Sequence, residues 1–177
     1  RSITGTASTG MIRFNGADKV TIDGRFAGTG NYLSISNTST SNNTGSSTIM
    51  FFNDATNNTI TNCTILGSST GAVTDNTGTI LFSTGTGNGN DGNNISNNFI
   101  SPAGANLPTK AIMALGSTSS NAIRNSGNTI DNNKIYDFFY VVVSVSGIYI
   151  YNGNDSWTIS NNRIYQTAIM TFTAAFS

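Results

Sequence analysis

The sequence predicts an all-β solenoid of parallel strands, with about five coils and a partial coil at each end, in one domain over residues 1–177. Three observations predict it. A Thr-Ile motif recurs along the chain, a second apolar motif recurs about ten residues before it, and no long stretch has the 3.6-residue apolar period of a helix. Such repeats stack on their neighbours instead of enclosing one closed core.

The Thr-Ile motif is clearest at residues 57–66, which read Asn-Asn-Thr-Ile-Thr-Asn-Cys-Thr-Ile-Leu. Its anchoring isoleucines are 38, 35, 35 and 29 residues apart, and they are Ile22, Ile60, Ile95, Ile130 and Ile159. Stacked coils that rise by roughly 4.8 Å each place these side chains in one inward column. A second inward column is expected after a corner, five residues on, and it contains Ile65, Ile100, Ile135 and Ile164.

Asparagines occupy the corner between the two isoleucine columns. Asn tolerates left-handed backbone angles, and its side-chain amide can bond to the amides of the coils above and below. We therefore expect a structural ladder at this corner, with Cys63 taking one Asn position in the second repeat. Its two columns are Asn62, Asn97, Asn132 and Asn161, followed by Asn98, Asn133 and Asn162.

The second motif supplies the first strand of each coil. Its copies are Ile12-Arg13-Phe14, Ile49-Met50-Phe51, Ile80-Leu81-Phe82, Ile112-Met113-Ala114, Ile148-Tyr149-Ile150 and, as the opening of a further strand over 168–173, Ile169-Met170-Thr171. Between the motifs we predict a long insertion at 27–47 with an extra strand at 31–36, and a hydrophobic strand at 141–145.

With its Thr-Ile-x-Asn-Asn-x-Ile pattern and corner asparagines, the sequence resembles the right-handed parallel β-helix superfamily, which has the fold of pectate-lyase-like proteins. Within that superfamily it resembles the bacterial surface or adhesin type. The resemblance covers nearly the whole chain and implies a right-handed coil. The superfamily includes polysaccharide lyases and hydrolases, phage tailspikes and bacterial adhesins, so the resemblance does not imply one activity.

Composition excludes some functions. Asn, Thr, Ser and Gly number 26, 26, 22 and 19, and eight cations balance eight Asp. Nucleic-acid binding needs clustered cations, which this chain lacks. The longest apolar stretch, Phe138 to Val143, is far shorter than the roughly 20 residues that span a bilayer, so no membrane insertion is expected. Low charge with much Thr and Asn favours an extracellular or cell-surface protein.

The acidic residues do not form a catalytic pair in this arrangement. Asp23 and Asp131 face outward but lie three coils apart, about 14 Å at roughly 4.8 Å per coil. Asp18, Asp91 and Asp155 share a turn position on alternate coils, about 10 Å apart by the same spacing, where turn capping explains them. Glycosidase carboxylates lie roughly 5 to 9.5 Å apart. Because His and Glu are also absent, we predict no enzyme activity and no cofactor.

Two weaker alternatives remain. The glycine-rich segment 84–92 has a calcium-like Gly/Asp composition, yet it occurs once and a turn explains it better. Outward threonines beside the anchor isoleucines resemble the Thr-x-Thr arrays of ice-binding proteins, but only Thr59 and Thr61 form a true pair, and β-propensity explains the threonines equally well.

The outward positions of the first strand are mostly apolar, which is typical of a sheet buried on both faces. We expect the segment 27–47 or a neighbouring molecule to cover this face, and we favour the neighbour because no capping coil is recognisable at either end. The predicted self-association face is Met50, Phe52, Leu81, Met113, Leu115, Tyr149 and Tyr151; the next outward residue would be Phe172.

The predicted function is accordingly a non-catalytic extracellular structural or adhesive module that self-associates into oligomers or filaments through this face and the solenoid ends. The chain is expected to be a segment of a longer repeat protein or an assembling subunit. Binding or processing of a surface polysaccharide is the alternative.

Overall fold

The computed structural model describes residues 1–171, so Phe172 and the last two residues of the strand predicted at 168–173 lie outside the described residues. Short strands dominate this part of the chain, and a single 3-10 turn at Asn121–Ile123 is its one helical element. In chain order the strands are β1 (Ser2–Gly5), β2 (Gly10–Asn15), β3 (Thr21–Asp23), β4 (Leu33–Asn37), β5 (Ser47–Phe52), β6 (Thr59–Thr61), β7 (Cys63–Gly67), β8 (Ile80–Phe82), β9 (Asn94–Ser96), β10 (Phe99–Pro102), β11 (Lys110–Ala114), β12 (Asn125–Ser126), β13 (Thr129–Asp131), β14 (Lys134–Tyr136), β15 (Ser146–Ile150), β16 (Asn154–Asp155), β17 (Thr158–Ser160) and β18 (Arg163–Tyr165).

These strands form three stacked parallel sheets and one short extra pair, β12 with β16. Sheet A has the order β1-β4-β7-β10-β14-β18, sheet B the order β15-β11-β8-β5-β2, and sheet C the order β17-β13-β9-β6-β3. Each coil takes one strand from sheet B, then one from sheet C, then one from sheet A. The chain is therefore an all-β parallel β-solenoid of about four turns between its first and fifth strand sets, which confirms the predicted fold class.

The core is built on the predicted isoleucine columns, whose members in coils two to four are fully buried. Ile22, Ile60, Ile95, Ile130 and Ile159 are register partners across sheet C. In sheet A the second column runs through Ile35, Ile65, Ile100, Ile135 and Ile164. Sheet B contributes stacked rings, with Phe51 centred 4.8 Å from Phe14 and 4.5 Å from Phe82. Identical residues stack because equivalent positions on successive coils lie one strand spacing apart.

The inner column of the predicted corner ladder bonds from coil to coil, whereas the outer column mostly does not. In the inner column Asn133 Oδ1 accepts both the backbone N–H and the side-chain Nδ2–H of Asn98, at 3.0 and 3.1 Å. Asn162 Oδ1 accepts the same two groups from Asn133. Cys63 donates its backbone N–H to Asn98. All four residues of the outer column have left-handed φ angles of 51° to 58°, and they are Asn62, Asn97, Asn132 and Asn161. Only one amide-to-amide bond is seen in that outer column, from Asn132 to Asn97.

Two further Asn ladders run along the interior and were missed from the sequence. They repeat the inner-column geometry, in which one Oδ1 accepts two N–H groups from the coil before it, except that Asn154 Oδ1 accepts only the side chain of Asn125. Their members are Asn58, Asn93 and Asn128, and Asn90, Asn125 and Asn154. Buried backbone groups at three turns of the coil are satisfied in this way.

Three strand predictions need correction. The supposed extra strand at 31–36 is the third strand of coil one, Leu33–Asn37, because Ile35 pairs with Ile65. Residues 141–145 form no strand, since the equivalent segment of coil three, 103–109, offers none to pair with. Residues 169–171 are not in a strand either, and Ile169 is 97% exposed.

Candidate functional site

The outer face of sheet B contains the side chains for which we predicted self-association. Its centre is a second apolar cluster, separate from the main core, formed by Met50, Leu81 and Met113. These residues occupy one register column, and their exposures are 8%, 0% and 0%. The predicted outward apolar column therefore exists, and its centre is already buried within the single chain.

Connecting segments 38–46 and 68–79 lie against this centre. A Cβ on Gly45 would be 3.6 Å from the Met50 side chain, and Asn76 Nδ2 donates to Ser83 Oγ at 2.9 Å. The segments also bond to each other, because Gly45 donates its N–H to the Asn76 carbonyl. Part of the 27–47 insertion thus covers the face as one of our two alternatives stated, helped by a second segment. A neighbouring molecule reaches the centre only if these segments move.

Four of the seven predicted residues border this covered centre and are more accessible. Phe52, Leu115 and Tyr149 pack half-buried against the cluster, and Tyr151 is exposed. The Tyr149 and Tyr151 rings stack with centroids 5.5 Å apart. We call these four residues the sheet B rim.

Lys110 pins the covering segment 68–79 and was not singled out from the sequence. Its side chain is fully buried, and its Nζ donates to the carbonyls of Gly71, at 3.2 Å, and of Ala72. Burial lowers the pKa of Lys110 from 10.5 to about 8, while the nearby Asp75 carboxylate opposes that shift. A lysine on a strand that is otherwise apolar was the available signal.

The eight Asp carboxylates all accept hydrogen bonds within residues 1–171. Asp18, Asp91 and Asp155, for which we predicted turn capping, accept hydrogen bonds from neighbouring coils. Thr56 Oγ1 donates to Asp18 at 2.9 Å, and Ser126 donates its N–H to Asp91 at 2.7 Å and its Oγ–H to Asp155 at 2.6 Å. Burial raises the pKa of Asp91, and the charges of Asp155 and Asp54 raise it further. The hydrogen bond from the Ser126 N–H lowers the pKa and opposes this increase.

Segment 84–92 wraps around one of these carboxylates. Asp54 accepts bonds from the Thr86 hydroxyl and from the backbone N–H groups of Thr86, Gly87, Asn88 and Gly89. Burial would raise the pKa of Asp54, but these bonds lower it to about 2. Hydrogen-bond donors, and not oxygen ligands, point into the loop. This arrangement suits an anion, here the Asp54 carboxylate, and does not suit a calcium ion. Among the described residues, no group of three or more His, Cys, Asp or Glu could hold a metal ion.

The outer face of sheet A changes character along the solenoid. Its first outward column runs Ser34, Thr64, Phe99, Lys134, Arg163 in register. In the last two coils a second outward pair, Tyr136 and Tyr165, stacks with ring centroids 5.3 Å apart. We call the five residues Phe99, Lys134, Tyr136, Arg163 and Tyr165 the basic–aromatic strip. Our sequence predictions did not include it, although the residues flanking the second isoleucine column were the signal.

The threonine face on sheet C matches the sequence pattern, including its interruptions. Asn94 separates Thr59 from Thr129 in one column. In the next column Ser96 and Thr61 bond to each other through their hydroxyl groups, at 3.2 Å. These hydroxyl groups are used within the protein, which weakens the resemblance to an ice-binding array.

Comparison of the chain with protein-family models, with curated proteins and with solved structures gave no match. Within residues 1–171, no helix has the length and hydropathy needed to cross a membrane.

Proposed function

We propose that this protein is a non-catalytic structural or adhesive β-solenoid module that acts outside the cell or at its surface and self-associates. The observation that carries the proposal is the use of its carboxylates. All eight Asp accept hydrogen bonds, and all but Asp75 accept at least one from a neighbouring coil, so most of the groups that acid–base chemistry would need hold the coils together instead. Low, balanced charge and abundant Asn and Thr support the extracellular assignment.

We also infer a place in the pectate-lyase-like right-handed β-helix superfamily, of the bacterial surface or adhesin type. Three parallel sheets, with one strand of each in every coil, and buried Asn ladders support this kinship. A filament or other homo-oligomer is the form in which such a module would act.

Self-association is proposed through the sheet B rim and the solenoid ends, with a second copy of the chain as the partner. The rim extends the buried apolar cluster to the surface. At the coil-five end, Ile159 and Ile164 are 48% and 47% exposed, whereas their coil-four partners Ile130 and Ile135 are buried. Burying these side chains against a partner removes apolar area from water.

Sedimentation velocity over a range of protein concentrations tests the proposal. The wild type should gain mass with concentration, and the double variant Tyr149→Asp, Tyr151→Asp should gain markedly less mass with unchanged circular dichroism, because only the solenoid ends are then left to associate. The double variant Val141→Asp, Val142→Asp is the matched control, because both side chains are exposed and lie in the connection between β14 and β15, outside the rim and the two end coils. A wild type that is monomeric at every concentration contradicts self-association.

Polysaccharide processing is the second candidate, and Asp91 is the observation that favours it. Burial raises its pKa, and the charge of Asp155, two coils away and bonded to the same Ser126, adds to that increase; a raised pKa is a feature of a general acid. A reducing-end assay against plant and algal polysaccharides decides between the two. Turnover that Asp91→Asn abolishes would replace the non-catalytic proposal.

A further inference from the structure

The basic–aromatic strip has an electrostatic arrangement that the fold itself does not require. Lys134 and Arg163 are direct register partners on neighbouring strands, and both are exposed. Like charges at paired positions on a sheet repel each other. On the earlier coils the same column contains Ser34 and Thr64, so a stable sheet A does not depend on these cations.

No carboxylate within residues 1–171 forms an ion pair with Lys134 or Arg163. Two acidic residues lie three positions from Lys134 in the sequence, and one of them, Asp137, accepts the N–H and the hydroxyl of Thr167, both at 2.7 Å. The other, Asp131 at the end of β13, accepts hydrogen bonds from Ser160 and Asn161. The strip therefore presents two neighbouring positive charges with open positions for an external anion.

Aromatic rings hold both cations in place. Lys134 Nζ lies 4.9 Å from the Phe99 ring centroid, and Arg163 Cζ lies 4.8 Å from that of Tyr165. Tyr136 and Tyr165 form a stacked, half-exposed pair beside the cations on the same face. Such contacts orient a cation without neutralising it. Tyrosine also combines an apolar ring with a hydroxyl group, which suits sugar rings that have both apolar and polar faces.

We propose that the basic–aromatic strip binds an anionic glycan, a polysaccharide with carboxylate or sulfate groups. Lys134 and Arg163 contact the acidic groups, and Tyr136 and Tyr165 pack against the sugar rings. Charge complementarity selects an anionic ligand, and two cations are too few for the counterion release that drives nucleic-acid binding. The inference rests on the adhesive part of the proposed function and names its partner class.

Isothermal titration calorimetry at low salt tests this with alginate as the carboxylated probe, dextran sulfate as the sulfated probe and dextran as the neutral one. The wild type should bind at least one anionic probe and not dextran, and 0.5 M NaCl should weaken binding. Lys134→Gln with Arg163→Gln should lower the affinity at least tenfold, and Tyr136→Ser with Tyr165→Ser at least threefold.

The control Arg13→Gln with Lys19→Gln removes the same charge elsewhere and should keep wild-type affinity. Its Arg13 is also stacked on an aromatic ring, with Cζ 4.5 Å from the Phe52 centroid. Alginate binding assigns a carboxylate ligand and dextran sulfate binding a sulfate ligand. Binding to neither, binding only to phosphatidylserine vesicles, or equal loss in the control overturns the proposal. Sedimentation of the Lys134/Arg163 variant reports self-association separately.

Discussion

The outer faces of sheets A and B follow the same stacking rule but have opposite environments. On sheet B the outward column of Met50, Leu81 and Met113 is buried, while on sheet A the outward Lys134 and Arg163 are exposed. The strands do not cause the difference. Connecting segments 38–46 and 68–79 leave sheet A and lie against sheet B. Among the contacts described, no connecting segment packs over the basic–aromatic strip of sheet A.

The comparison teaches that connections decide which faces of a solenoid are buried. A sheet with both faces covered tolerates continuous apolar strands, as in β8, whose three residues are all fully buried. An open face needs polar or amphipathic side chains. Outward composition therefore reports how a face is covered, either by the chain itself or by a partner.

The largest expected effect on stability comes from a substitution in the covered face of sheet B. Met113→Asp should lower the free energy of unfolding by about 4 kcal/mol, because it places a carboxylate without a partner in a buried apolar cluster. Urea unfolding followed by circular dichroism measures the loss. This substitution cannot serve as a test of assembly alone, since Met113 is fully buried in the single chain.

Lys134→Asp is the matched control, in the same coil but on the open face of sheet A. It should change stability by no more than about 0.5 kcal/mol. Equal losses in the two variants would mean that the two faces do not differ in burial.

The next effect concerns the lysine under the cover. The folded-state pKa of Lys110, about 8, lies below its usual value of 10.5, so the unfolded chain binds more protons between these pH values. Stability therefore rises with pH across that window and falls again as the pH returns toward 8. The gain is at most about 3 kcal/mol. Urea unfolding at a series of pH values measures it.

Lys110→Met should remove this rise, because a thioether does not titrate. Lys134→Met, at an exposed lysine, should keep it. If the wild type and Lys110→Met show the same dependence of stability on pH, Lys110 is not a buried amine in the folded protein.

Periodic features could be predicted from the sequence. A column such as Ile60, Ile95 and Ile130 repeats at a constant spacing, and the corner asparagines repeat with it. The same signal was present for Asn58, Asn93 and Asn128, each two residues before an anchor isoleucine, and we did not use it. Stacking converts constant spacing directly into contact, which is why register is readable in a solenoid.

Features that occur once could not be predicted in this way. Three features each depend on one segment of the chain. They are the packing of 68–79 over Met113, the Lys110 hydrogen bonds to Gly71 and Ala72, and the loop around Asp54. Loop conformation depends on tertiary contacts that no period encodes. The basic–aromatic strip is intermediate, because its positions follow the period while its residue types change at coil three.

The smallest expected effect on stability comes from a substitution on the open face of sheet A. Lys134→Gln removes one of two adjacent positive charges, so at low salt it should increase stability by about 0.2–0.5 kcal/mol. The increase should vanish at 1 M NaCl, where the screening length falls to about 3 Å. Lys19→Gln is the opposite control, because Lys19 Nζ lies 3.4 Å from Asp18 and its removal breaks an attractive pair. Urea unfolding of both variants at 10 mM and 1 M NaCl measures the two signs. If Lys134→Gln lowers stability at low salt, the contact of Lys134 with Phe99 outweighs the repulsion from Arg163, and the predicted sign is wrong.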